Sequence, residues 1–228
     1  MKRSIFIVLI LALSAAFIIY AFYICINKNT VKTNNDVITI VIDPGHGGQD
    51  GGKTGNVKNE SVINLEIAML LKELLVENGF NVIMTRDTDD GLYPQGATSW
   101  DKPADMNERK NIIINSNASM VISIHQNSYT DSRVRGAQVF YSDCIEENET
   151  IAKLIQQQII KIGEQNDRIL LIDNDLKILK DNPMPSALVE CGFLSNQYDE
   201  QLLLSKDYQL KVATAIYTGI CEFFDIDP

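Results

Sequence analysis

Short β-branched runs alternate along this chain with longer stretches whose apolar residues recur at helical spacing, and that alternation leaves few folds open. Val37–Asp43 is a β-branched run that ends at a Pro-Gly turn. Glu60–Asn78 then places Ile63, Ile67, Leu70, Leu71, Leu74 and Leu75 on one helical stripe and stops at Gly79. Asn81–Thr85, Met120–His125, Gly136–Tyr141 and Ala187–Glu190 read as further strands. Ala104–Asn115, Glu146–Ile162 and Gln197–Phe224 read as helices, the last one closing the domain, while Asp87–Pro103 reads as irregular. Such an order predicts an α/β domain: a mostly parallel, twisted sheet with helices on both faces.

A different kind of segment precedes that domain. Lys2 and Arg3 stand before an almost unbroken apolar run from Ser4 to Ile26. At about 1.5 Å per residue this run is long enough for a hydrocarbon core of about 30 Å. Cleavage as a secretory signal near Ser14 and Ala16 would leave an apolar Phe17–Tyr23 at the new terminus, so the run reads better as a retained transmembrane helix. Bulky Tyr23 and Ile24 before Cys25 also argue against a lipoprotein site. The expected organisation is therefore an anchor at residues 1–26, a polar tether at 27–36 and one domain at 37–228. With the basic end inside, the domain lies outside the cytoplasm.

Charge and cysteine narrow the functional classes. The net charge is −10, and Lys2, Arg3, Lys28 and Lys32 all lie in the terminal segment, so the domain itself is more acidic still. A body of that sign repels phosphate backbones, which excludes nucleic acid as a partner class. Cys144, Cys191 and Cys221 are an odd set without CxxC spacing, neither a disulfide framework nor a structural zinc site.

The whole chain holds two histidines, and both occupy the same kind of position. His46 follows the end of one expected strand and His125 ends another, so both face the carboxyl rim where open α/β folds bind ligands. A single histidine at such a place is commonly just a hydrogen-bonded structural residue; two on one rim point to a site. Glu60 opens the helix after the first strand, where an acid also suits the helix dipole. Yet that helix start returns to the same rim. A His46/Glu60/His125 set leaves zinc one open position for water, the mark of a catalytic site. Glu190 ends a buried strand on the rim, where a carboxylate is costly unless paired or used; it is the candidate general base and acid. No third histidine remains to activate Cys191 as a nucleophile.

Four separated blocks resemble the type 3 family of zinc-dependent N-acetylmuramoyl-L-alanine amidases. They are Ile42-Asp-Pro-Gly-His-Gly-Gly48, Glu60, Ser123-Ile-His-Gln-Asn127 and Ala187-Leu-Val-Glu-Cys-Gly-Phe-Leu-Ser-Asn196, with Met84-Thr-Arg86 and Asn107-Glu-Arg109 as lesser matches. The likeness spans about residues 37–224, and its germination-specific spore-cortex branch is the most similar. This resemblance implies a peptidoglycan substrate, cleaved between N-acetylmuramic acid and the first L-alanine of the stem peptide. One zinc ion would be held by His46, Glu60 and His125, with Glu190 catalytic. In the cortex such cleavage exposes muramic acid for conversion to muramic-δ-lactam by a separate deacetylase. Arg86 and Arg109 fit either substrate binding or structural ion pairs; Asn127 fits orientation of a ligand or of substrate. The competing readings are a zinc carboxypeptidase or deacetylase on the same wall, a non-catalytic wall-binding module, and an enzyme that depends on a protein activator.

Overall fold

A computed structural model describes residues 37–93, 101–162 and 166–228, and within them Val37–Pro228 forms one compact unit. The expected anchor and tether lie outside the described residues. Among the described residues, no helix is long and apolar enough to cross a membrane.

Six strands and five helices are described: β1 (Thr39–Pro44), α1 (Glu60–Glu77), β2 (Asn81–Met84), α2 (Lys102–Asn115), β3 (Met120–Asn127), β4 (Gln138–Tyr141), α3 (Glu146–Ile159), β5 (Leu171–Ile172), β6 (Ser186–Phe193), α4 (Gln197–Leu203) and α5 (Lys206–Phe223). The sheet runs β2-β1-β3-β6-β4-β5. β2, β1, β3 and β6 are mutually parallel, while β4 runs antiparallel to β6 and carries β5 parallel to itself. The sheet is therefore mixed at one side, and mostly parallel elsewhere as the alternation predicts.

Both faces are covered, which is why β1, β3 and β6 read as continuous buried runs. Ile40, Ile42, Ile122, Ile124 and Val189 meet apolar residues of α1, α3 and α5 on one face. On the other, Val41, Val121 and Leu188 pack with Ile113 of α2 and with Ile178 and Leu179 from the 173–184 segment. α1 stops where expected: Gly79 adopts a left-handed φ of 85° and its N–H reaches Val76 O.

Two differences from the sequence reading have local causes. The closing helix is two helices, because Ser205 leaves helical geometry (ψ 125°) and starts α5. β5 went unread because two exposed residues carry no periodic signal.

The order of strands fixes the place of the site. From β1 the chain goes through α1 to β2 on one side, and then places β3 on the other side of β1. The carboxyl ends of β1 and β3 flank that reversal, where a crevice forms in doubly wound sheets.

Candidate metal centre and catalytic pocket

The chain leaving β1 has to turn sharply to bring His46 over the rim. His46 sits at φ 62°, followed by Gly47 at 139° and Gly48 at 60°. A left-handed conformation at a non-glycine residue is unfavourable and needs support from its surroundings. That support is visible. Gly45 N–H donates to Ile124 O at 3.0 Å. Arg109 donates to Pro44 O and His46 O, and Arg86 to Pro44 O and Gly45 O.

His46 Nε2 lies 3.3 Å from Glu60 Oε1, and His125 Nδ1 lies 2.9 Å from the same oxygen. The two imidazoles meet edge to face, with centroids 5.0 Å apart. Donor atoms of His46, Glu60 and His125 all fall within 4.8 Å of one another. Tetrahedral zinc with bonds of about 2.1 Å separates its ligands by about 3.4 Å, so a small cation fits with little rearrangement. Glycine at 45 is obligatory here, since a Cβ would stand 2.1 Å from the His125 ring.

Glu60 is not spent on the helix dipole. Its Oε2 accepts from Lys53 N–H at 2.8 Å, while Oε1 turns to the histidines and accepts from Gln126 N–H. Burial would raise its pKa, but contact with His125 and His46 holds the carboxyl well below the ordinary range. Behind it, Asn64 bonds Gly45 O and accepts from Gln126, fixing the floor. His46 Nδ1 lies 2.9 Å from Asp50 Oδ2, though off the line of an aligned hydrogen bond. Burial disfavours the charged imidazole of His46, yet Glu60 and Asp50 together raise its pKa.

Glu190 pairs in register with His125 on the adjacent strand. The residue is half-buried, but its Oε2 is sealed from solvent and has no hydrogen-bond partner. Burial pushes its carboxyl up to about 7; His125 and His46 oppose the rise and Glu60 adds to it. His46, His125, Glu190 and Asp50 line a cavity of about 160 Å³. A larger cavity of about 990 Å³ lies between Asn56 and α4 and contains none of the four, so size does not identify the site.

Of the remaining candidates, Arg109 lines the same cavity, while Arg86 and Asn127 do not. Arg109 is buried, bonded to Asp43 at 2.7 Å and Asp105 at 2.6 Å. Arg86 is buried too and donates to Pro44, Gly45, Ser61 and Thr88 carbonyls; burial and the neighbouring Arg109 pull its pKa down to about 10. Of the two readings open in the sequence, the contacts support loop clamps rather than substrate ligands. Asn127 bonds its neighbour Ser128 N–H and does not line the 160 Å³ cavity. Cys191 is fully buried, with its thiol pushed up by burial and by Glu190. Asp43, Asp50 and Asn64 were missed. Asp50 alone carried a signal, four residues after His46 in the same glycine-rich loop.

Residues 40–222 match the family model described as N-acetylmuramoyl-L-alanine amidase, type Amidase_3. The chain belongs to this amidase family. It is 39% identical over 187 residues to the germination-specific N-acetylmuramoyl-L-alanine amidase of Bacillus subtilis, covering 81% of this chain and 79% of the relative. The CwlD amidase from Clostridioides difficile, solved in complex with the GerS lipoprotein, superposes with a TM-score of 0.80 at 39% identity; the match covers 83% of this chain and all of that one. The catalytic domain of CwlV from Bacillus (Paenibacillus) polymyxa var. colistinus matches at a TM-score of 0.72 and 26% identity, covering 84% and 100%. The amidase assignment thus rests on the family match and these relatives, and the rim cluster offers three donors that could hold a metal ion.

Proposed function

We propose that this amidase is a zinc enzyme that hydrolyses the amide between N-acetylmuramic acid and L-alanine of the peptidoglycan stem, with His46, Glu60 and His125 as ligands and Glu190 as acid/base. The observation that carries this reading is Glu190, with an unpartnered, sealed Oε2, lining the same cavity as His46 and His125, whose donors converge with that of Glu60. When bound there, zinc lowers the pKa of a coordinated water towards about 7 and polarises the amide carbonyl. Three protein ligands leave the position open that such chemistry needs.

The protein's own part is proton management. Glu190, isolated from other donors, is free to accept a proton from water attacking the carbonyl carbon. Its elevated affinity for that proton lets it hold it until the C–N bond breaks, and then deliver it to the amine of L-alanine. Without that transfer the amide nitrogen leaves as an anion, which is prohibitively poor. Asp50, beside the other ring nitrogen of His46, keeps that imidazole oriented while this happens.

The similarity to germination-specific and CwlD amidases supports action on the spore cortex, outside the cytoplasm, and the apolar run from Ser4 to Ile26 supports residues 1–26 as membrane anchor. The CwlD complex with a lipoprotein supports an envelope protein as partner. The test loads the full-length chain with zinc and records metal content together with the products of peptidoglycan digestion. Glu190→Gln is expected to keep its zinc and lose turnover by about 10²–10⁴-fold, while His125→Ala loses both. Release of D-alanine or acetate in place of peptides with a free L-alanine amine would overturn the substrate assignment.

A further inference from the structure

Around the catalytic cavity most charges are matched; besides the Glu190 carboxyl, Lys177 stands out. Asp43 and Asp105 are neutralised by Arg109, and Glu60 and Asp50 face the histidines. Lys102 and Lys177 also line the cavity. Lys177 is exposed and makes no ion pair among the described residues, in a chain with a net charge of −10. Its position is not incidental. It sits on a tight turn in which Leu179 and Lys180 N–H both donate to Leu176 O, at 3.0 and 2.8 Å. The next two residues, Ile178 and Leu179, are buried against Val121 and Leu188 beneath the sheet rim. The backbone under Lys177 is thereby pinned beside the cavity, and its ammonium has no ion-pair partner among the described residues.

Resting on the amidase reading above, we propose that Lys177 is a specificity residue that binds a carboxylate on the peptide side of the scissile amide. The side follows from the chemistry of the bond. The carboxyl of muramic acid is consumed in the amide that is cut, so a free carboxylate close to that bond belongs to the stem peptide after L-alanine. The acidic surface disfavours polyanions at long range, while one lysine at the cavity selects a single carboxylate at short range. The apolar wall formed by Leu176, Ile178 and Met106 beside it limits competition from water.

The test compares two N-acetylmuramoyl-L-alanyl peptides that differ only in a free carboxylate or a carboxamide on the residue after L-alanine. The zinc-loaded full-length chain is expected to favour the carboxylate by about three- to fivefold in kcat/KM, the upper range for a pair of exposed charges. Lys177→Met is expected to abolish the preference, Lys177→Arg to keep it and Lys177→Glu to reverse it. Calorimetric binding of both peptides to zinc-loaded Glu190→Gln reads the same ratio without turnover. Equal cleavage and binding of the two peptides by the wild-type chain, or an unchanged ratio in Lys177→Met, overturns the lysine assignment and leaves the amidase reading standing. Failure to bind or cleave either peptide overturns both.

Discussion

Replacing Arg109 with methionine tests whether the arginines support the site or serve substrate. Arg109 has 1% of its surface exposed and donates to Asp105 Oδ2, Asp43 Oδ1, Pro44 O and His46 O. Methionine approximates its length and leaves no large cavity, so the loss is electrostatic. Asp43 keeps hydrogen bonds from Thr85 and Ser123, but its charge becomes uncompensated in a site where it is 1% exposed. Breaking a buried pair in this way costs about 3–5 kcal/mol. That is a large share of the stability of an ordinary domain, about 5–15 kcal/mol. Urea unfolding should therefore move to much lower denaturant with an unchanged slope. Zinc affinity should fall as well, because the turn under His46 loses two of its clamps. Asp43→Asn combined with Arg109→Met should recover part of the loss, since Asp43 then carries no unpaired charge and only Asp105 is left without its arginine. A stability loss below about 1 kcal/mol with a raised KM and unchanged zinc affinity would refute this account and return Arg109 to substrate binding.

Three further outcomes follow from the same geometry. Gly45→Ala places a Cβ against the His125 ring and should lower zinc affinity by more than about 100-fold, measured by chelator competition, while secondary structure by circular dichroism is retained. Asp50→Asn keeps an acceptor for Gly52 N–H but removes the charge beside His46 Nδ1, and should weaken zinc by about 10–100-fold in the same assay. Burial alone would raise the pKa of Asp43, but Arg109 and Thr85 hold it below its ordinary 3.8. Its contribution to stability is therefore complete above about pH 4 and is lost as the pH falls below that, through its folded value. Asp43→Asn should flatten this acid limb of the unfolding curve.

The parts legible in the sequence are those that one stretch of chain encodes by itself. β1, β3 and β6 were readable because burial on both faces makes them continuous apolar runs, and α1 because its stripe and terminating Gly79 are local. His46, Glu60, His125 and Glu190 were readable as positions at or near element ends, although β3 runs on to Asn127 and β6 to Phe193, and the topology then brings them to one rim. What stayed hidden depends on partners far along the chain. Asp43 reads only as the last residue of a strand before a Pro-Gly turn, yet its neighbours Thr85, Ser123 and Arg109 come from three other segments. The break at Ser205 was invisible because apolar periodicity continues through it from α4 into α5. The reversal of β4 could not be read from its residues either, since direction depends on the path of the loop from β3.

The hidden layer explains why the legible one works. A left-handed residue after β1 is the feature that turns the His46 ring toward His125, and such a conformation costs about 1–3 kcal/mol. Glycine at position 46 would remove that cost, but it would also remove the proposed ligand. The chain instead fixes the carbonyls of Pro44, Gly45 and His46 with two buried arginines, and neutralises Arg109 with Asp43 and Asp105. Each of those arginines would be costly to bury alone. Together with the carboxylates they form a rigid support whose only exposed product is the position of one imidazole. The geometry of the proposed metal centre is thus set as much by Asp43, Arg86 and Arg109 as by the three residues whose donors converge.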